Sequence, residues 1–170
     1  MSMAVSHALD LTTMSSPELQ FRIEQLLTRY VHCIDDNALE RLPDLFTEDC
    51  VYQVIARENA DRGLPVAAIY CASKGMLVDR ITALRHANIF ERHHYRHLVS
   101  SVLIEEVTAT SAQVKSNYSV YRTRTNGATE LFNAGNYRDT IVVHAAQLLF
   151  KEKRAIFDTN RIDTLLVTPI

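Results

Sequence analysis

A chain of 170 residues with 47% apolar and 22% charged side chains has the composition of one ordinary folded domain, which excludes a disordered or collagen-like polymer. Its formal charge of −2 and scattered Lys and Arg give no clustered cationic field, so nucleic acid and anionic membrane surfaces are not expected partners. The three cysteines, Cys33, Cys50 and Cys71, are odd in number, far apart and without a C-x-x-C pair, which points to reduced structural thiols in a cytoplasmic protein.

Residues 1–16 show no sustained period and read as a flexible arm. They lack the basic start and apolar run of a signal peptide. Ser16-Pro17-Glu18 then supplies a helix cap, a proline at the first turn and an acid beside the positive helix end. Leu19, Ile23, Leu26, Tyr30 and Ile34 recur at steps of three or four, so one face of a helix ending near Asp35 packs inward. Asp35-Asp36-Asn37 stops it, and Leu39, Leu42, Leu45 and Phe46 predict a second short helix that tolerates Pro43.

Residues 50–55 are β-branched and aromatic enough for a strand, and residues 57–65 read as a loop. Ser73 caps a third helix, in which Met76, Leu77, Ile81 and Leu84 are mixed with Arg80 and Arg85. From about Tyr95 the period becomes two. Strands are predicted over residues 98–107, 112–124, 129–143, 147–158 and 161–167, with Asn126-Gly127 as a hairpin turn. Helices first and a long antiparallel meander afterwards predict an α+β domain with its helices segregated onto one face of a curved sheet.

The chemistry on offer is sparse. The four glycines, Gly63, Gly75, Gly127 and Gly135, form no phosphate-binding loop, and there is no G-x-S-x-G elbow. A Rieske cluster would need two Cys and two His in close pairs, and neither a Cys-x-His nor a Cys-x-x-His pair occurs in the sequence. His93-His94-Tyr95-Arg96-His97 is the dense histidine group. If it starts a strand, His93 and His97 share a face, and with Glu91 they are geometrically conceivable metal ligands. The simpler reading gives Arg92, Tyr95, Arg96 and His97 to the backbone or to a subunit interface, where Arg and aromatic residues are enriched. A separate reading takes Tyr30, Asp35 and His97 as the acid–base groups of a cofactor-free dehydratase or isomerase, or of a small-molecule-binding module. Its bland counterpart makes Tyr30 a core residue and Asp35 and Asp36 a helix stop.

The run from Tyr30 through Asp35-Asp36, Leu42, Leu45-Phe46-Thr47-Glu48-Asp49-Cys50 and Tyr52 resembles the opening of the nuclear-transport-factor-2-like cone superfamily. Arg57-Glu58-Asn59, Gly63-Leu64-Pro65, Met76-Leu77-Val78-Asp79-Arg80-Ile81 and Glu91-Arg92-His93-His94-Tyr95-Arg96-His97-Leu98 narrow the resemblance. With Phe132-Asn133-Ala134-Gly135-Asn136-Tyr137-Arg138-Asp139 and the tail from Asp158-Thr159 to Pro169-Ile170, they resemble the small (β) subunits of aromatic-ring-hydroxylating dioxygenases. The wording is most similar to the salicylate, anthranilate and terephthalate branch, which implies a carboxylated aromatic substrate in aromatic-compound catabolism.

The resemblance implies a single cone-fold domain over residues 17–170, with about three helices on the concave face. It implies a structural subunit without catalytic, cofactor or metal residues of its own. The Rieske [2Fe-2S] cluster and mononuclear Fe(II) are expected in a large (α) partner, within an α3β3 hexamer in which this chain self-associates as a trimer. Electrons would come from a ferredoxin and an NADH-dependent reductase. Arg92, Tyr95, Arg96 and His97 are then the interface candidates.

Overall fold

The structure is a computed structural model that describes residues 9–87, 91–159, 162, 166 and 168–170. Helix α1 (Ser16–Asp35) is capped one residue earlier than predicted, by Ser15, whose hydroxyl accepts the Glu18 N–H at 3.4 Å. Pro17 sits in the first turn, where its missing N–H costs no hydrogen bond. The helix buries Leu19, Ile23, Leu26, Leu27, Tyr30, Cys33 and Ile34, and each large apolar group so buried contributes about 1.5–3 kcal/mol. Asn37, at a φ of 56°, ends it in the left-handed region that Asn tolerates better than most residues.

The second predicted helix is a 3₁₀ helix, Leu39–Leu45, not an α-helix. Its apolar residues fall at every third position, which is the 3₁₀ period, and Leu39, Leu42 and Leu45 are all buried. Phe46 belongs instead to β1 (Phe46–Ala56), a longer strand than the predicted one. The predicted loop opens with a one-turn helix, α2 (Arg57–Asp61), and is followed by an unpredicted short strand, β2 (Ile69–Cys71). Ser73 caps α3 (Lys74–His86), accepting the Met76 N–H at 3.2 Å.

The meander runs through β3 (His93–Val107), β4 (Ser111–Arg124), β5 (Thr129–His144) and β6 (Gln147–Phe157). Strand β3 begins five residues before the predicted start, so the histidine group lies on it. The strand predicted over 161–167 falls mostly outside the described residues, and Ile162 and Leu166 lie outside any strand. Of the arm, residues 1–8 lie outside the described residues. From Leu9 on it is docked: Leu11 is buried and its N–H donates to Ala109 O at 3.0 Å.

One six-stranded sheet has the order β2-β1-β6-β5-β4-β3. It is mixed, not purely antiparallel, because β1 pairs in parallel with β6. A parallel pair needs a long crossover, and here the intervening helices and strands supply it. Bulges at Ser100/Leu103, Ile104/Glu106, Val120/Tyr121 and Thr140/Ile141 bend the sheet, and α1 and α3 fill the hollow. Gly135 marks where β5 presses on β6: a Cβ there would lie 2.0 Å from Ile156 O. The Asn126-Gly127 turn forms as predicted, with Gly127 at a φ of 84°.

Candidate functional site

Strand alternation sorts the histidine group. Tyr95 and His97 point into the hollow and are buried, whereas Arg92, His94 and Arg96 are exposed. His97 meets the last residue of α1: its backbone N–H donates to Asp35 Oδ2 at 2.9 Å, and its Nδ1 lies 2.6 Å from Asp35 Oδ1. Facing a carboxylate, Nδ1 carries the proton, and Nε2 is the buried ring atom without a partner among the described residues. Tyr95 stacks on Phe132 at 5.3 Å, and Arg122 covers the same ring at 4.4 Å. An open recess of about 750 Å³ adjoins this corner, lined by Asp35, Arg85, Arg92, His93, Tyr95 and Thr168 among others.

Tyr30 does not join the Asp35–His97 pair. Its hydroxyl lies deeper in the hollow, 2.6 Å from Ile170 O and 3.2 Å from Tyr52 Oη. Tyr52 donates to the same carbonyl at 3.0 Å and accepts the Ile170 N–H at 3.1 Å. Ile170 is fully buried, and Arg80 on α3 donates to Leu166 O at 2.8 Å. Ile170 therefore engages the Tyr30 hydroxyl, the group that the dehydratase reading would leave free for substrate. Burial pushes the Tyr52 hydroxyl up to about 12 and Tyr30 well above its ordinary value, so both stay protonated donors.

Behind these phenols lies an ion pair that sequence reading missed. Lys153 and Asp139 face each other across β6 and β5 at 3.0 Å, both without exposed side-chain surface. The ammonium is packed against rings: its Nζ lies 3.8, 4.3 and 4.6 Å from the centroids of Tyr137, Tyr30 and Phe150, a favourable cation–π arrangement in a desolvated setting. Burial raises the Asp139 carboxyl to about 6, against the opposing pull of Lys153, and burial also lowers the Lys153 ammonium. Among the described residues, Asp139 Oδ1 and the Tyr137 hydroxyl are buried without hydrogen-bond partners.

Among the described residues no three His, Cys, Asp or Glu side chains gather as a metal-binding group. His97 is engaged by Asp35, and His93 Nδ1 lies 2.8 Å from Glu91 O. Burial raises all three thiols above their ordinary value, the opposite of what a thiolate ligand needs. Among the described residues no helix is long and apolar enough to cross a membrane.

Residues 18–154 match the SnoaL-like domain family. The small subunit of anthranilate 1,2-dioxygenase from Burkholderia cepacia is 47% identical over 150 residues, covering 88% of this chain and 93% of that relative. The chain belongs to the SnoaL-like family, among the small subunits of aromatic-ring-hydroxylating dioxygenases. A β subunit of the terminal oxygenase component of terephthalate 1,2-dioxygenase from a Comamonas species is 37% identical, covering 89% and 98% of the two chains. A crystal structure from Novosphingobium aromaticivorans, assigned as the β subunit of an aromatic-ring-hydroxylating dioxygenase, superposes with a TM-score of 0.84. It is 44% identical and covers 91% of this chain and 99% of its own.

In this small subunit the four sequence-picked interface residues divide between two faces. Tyr95 and His97 brace the inside, and Arg92 and Arg96 are exposed. Arg96, Tyr121 and Leu131 lie in one row across β3, β4 and β5. Leu98, Tyr121 and Leu131 are 55%, 39% and 58% exposed, a run of large apolar side chains on the outer face of the sheet. Sequence reading missed the tail socket of Tyr52, Arg80 and Ile170, and also Lys153–Asp139. No local motif marks either, since both are assembled from distant segments.

Proposed function

We propose that this chain is the structural subunit of an α3β3 ring-hydroxylating dioxygenase that acts on a carboxylated aromatic compound in its catabolism. The large partner carries the Rieske cluster and the mononuclear Fe(II), and a ferredoxin and an NADH-dependent reductase deliver electrons to it in the cytoplasm. The observation that carries a non-catalytic role is the filled hollow, with the Tyr30 hydroxyl engaged by Ile170. Relatives named for anthranilate and terephthalate, both carboxylated aromatics, support the substrate class.

The outer sheet face supports self-association and docking of the large subunit, because a row of Arg, Tyr and Leu has the residue types that interfaces favour. Arg96 contributes there directly, and Arg92 reaches a partner from the rim of the neighbouring recess. Tyr95 and His97 act from beneath, by fixing the strand that presents them. A stand-alone dehydratase would need Tyr30, Asp35 and His97 to converge on open space. The Asp35–His97 contact favours that alternative, whereas the tail on Tyr30 and the fully covered His97 ring oppose it.

The test is co-expression with the large subunit, with light-scattering mass and metal analysis of the complex and of this chain alone. A metal-free small chain that enters an iron-containing hexamer is the expected result. A chain that ignores the large subunit and turns over substrate by itself would overturn the proposal. Arg96→Ala should lower hexamer yield while the large subunit keeps its iron.

A further inference from the structure

We infer that a cationic row on the outer face of the sheet docks an acidic helix of the large oxygenase subunit. Leu103, Lys115, Arg138, Arg154, Gln53 and Tyr70 stand in direct register and cross all the strands of the sheet. Their chain neighbours Val114, Asp139, Lys153 and Tyr52 are buried on the inner face, so by strand alternation the row faces outward. Arg138 is exposed, and Lys115 and Arg154 are half-buried. The row is separate from that of Arg96, Tyr121 and Leu131.

Lys115, Arg138 and Arg154 set like charges side by side on neighbouring strands, a placement that destabilises a sheet. Elsewhere on β4, β5 and β6 the cations have acids beside them: Arg122 and Arg124 share Glu130, Lys151 meets Asp49, and Lys153 meets Asp139. In the row, Arg154 donates to Gln53 Oε1 at 3.0 Å and lies 3.9 Å from Glu152. The side chains of Lys115 and Arg138 have no hydrogen-bond or ion-pair partner among the described residues. Lysines often guard a sheet edge against unwanted pairing, yet β4, β5 and β6 each have a strand on both sides. The repulsion therefore has no use inside the fold, and an anionic partner relieves it.

Spacing and charge define the partner. Neighbouring strands lie about 4.8 Å apart, so the three cations span roughly 10 Å. Carboxylates at i, i+4 and i+7 of a helix repeat at about 5–6 Å and span roughly 10 Å, whereas alternate residues of an extended strand lie nearly 7 Å apart. A helix laid across the strands therefore meets all three cations. Leu103 and Tyr70, 56% and 54% exposed at the two ends of the row, give it apolar contacts beyond the charges. A second copy stacked on this face about a two-fold axis would set cations against cations, so the face favours a partner of opposite charge. The inference rests on the reading of this chain as a subunit that assembles with a large partner.

The experiment titrates the small chain, as parent and as Arg138→Glu, onto the large subunit at low and high salt, with light scattering and thermal unfolding of each small chain alone. Arg138→Glu should weaken binding by about tenfold or more and flatten its salt dependence. The variant alone should unfold no earlier than the parent, because a like charge has left the row. Arg29→Glu makes the same charge change at an exposed site on α1 and should bind as the parent does. If Arg138→Glu does not fold, the double variant Lys115→Gln/Arg138→Gln takes its place with the same expectation. Folded row variants that keep the parent's affinity and salt dependence, or an equal loss in Arg29→Glu, overturn the inference and leave the subunit reading standing. A row variant that loses self-association by itself assigns the row to a second copy and also overturns it. A parent chain that never binds the large subunit defeats the subunit reading first and this inference with it.

Discussion

Replacing Lys153 with Met should make stability depend on pH in a direction set by Asp139. The substitution removes a donor at 3.0 Å from a carboxylate without exposed surface, whose other oxygen has no partner. Breaking one side of a buried pair costs about 3–5 kcal/mol. That figure applies only while the carboxyl is ionised. Its folded pKa, about 6 in the intact pair, lies above the ordinary carboxylate value and rises further without the ammonium. A group with a raised folded pKa stabilises the fold fully below its unfolded pKa and loses that contribution as the pH climbs through the folded one. At about pH 5 the protonated carboxyl should therefore cost only the ~1–3 kcal/mol of a poorly satisfied neutral group, and the full cost should return at about pH 8. Urea unfolding of the variant and the parent at both pH values measures this, with the midpoint read against an unchanged slope. Equal destabilisation at the two pH values, or a larger loss in acid, would refute the assignment of Asp139 as a buried, reluctant carboxylate.

Asp35→Ala leaves the backbone N–H and the Nδ1 of His97 without their acceptor and should cost about 1–3 kcal/mol, seen as a lower urea midpoint. Asp35→Asn, which keeps an acceptor oxygen, should recover part of it. Gly135→Ala drives a Cβ to 2.0 Å from Ile156 O and should cost at least the ~1–3 kcal/mol of an overpacked core; an unchanged thermal midpoint would show that β5 and β6 can separate freely.

Much of the fold could be read because its signals are local. Leu19, Ile23, Leu26, Tyr30 and Ile34 announce α1 by spacing alone, and Asn126-Gly127 announces its hairpin by the backbone conformations that only a few residues accept. The buried pair was hidden by a break in phase. Leu148 and Phe150 point inward, so strict alternation would send residues 152 and 154 inward and Lys153 to solvent. The bulge between Thr140/Glu152 and Ile141/Phe150 inserts one residue, and the phase flips. Lys153, Ala155 and Phe157 then face the core. Likewise, Leu39, Leu42 and Leu45 suggested an α-helix because apolar spacing of three fits both helix types over so short a stretch. The tail socket needed tertiary knowledge outright, since it joins Tyr30, Tyr52 and Ile170 across 140 and 118 positions of chain.

That same bulge gives the ion pair a purpose that its net energy does not. A buried pair often adds little or nothing relative to well-packed apolar residues, so stability alone is a poor reason for Lys153 to lie here. A strand that carries an extra residue can re-register by one, and a one-residue slip sends every side chain to the other face. In β6 a slip that brings Glu152 opposite Asp139 would turn Lys153 outward and set two carboxylates face to face. Asp139, directly opposite Lys153 and too buried to find water, would then be left without its cation, which penalises the wrong register far more than the right one is rewarded. The double variant Asp139→Leu/Lys153→Met should accordingly keep a urea midpoint close to that of the parent while losing amide-exchange protection along β5 and β6. A double variant destabilised as strongly as Lys153→Met alone would mean that the pair holds the core together energetically, and the register argument would fail.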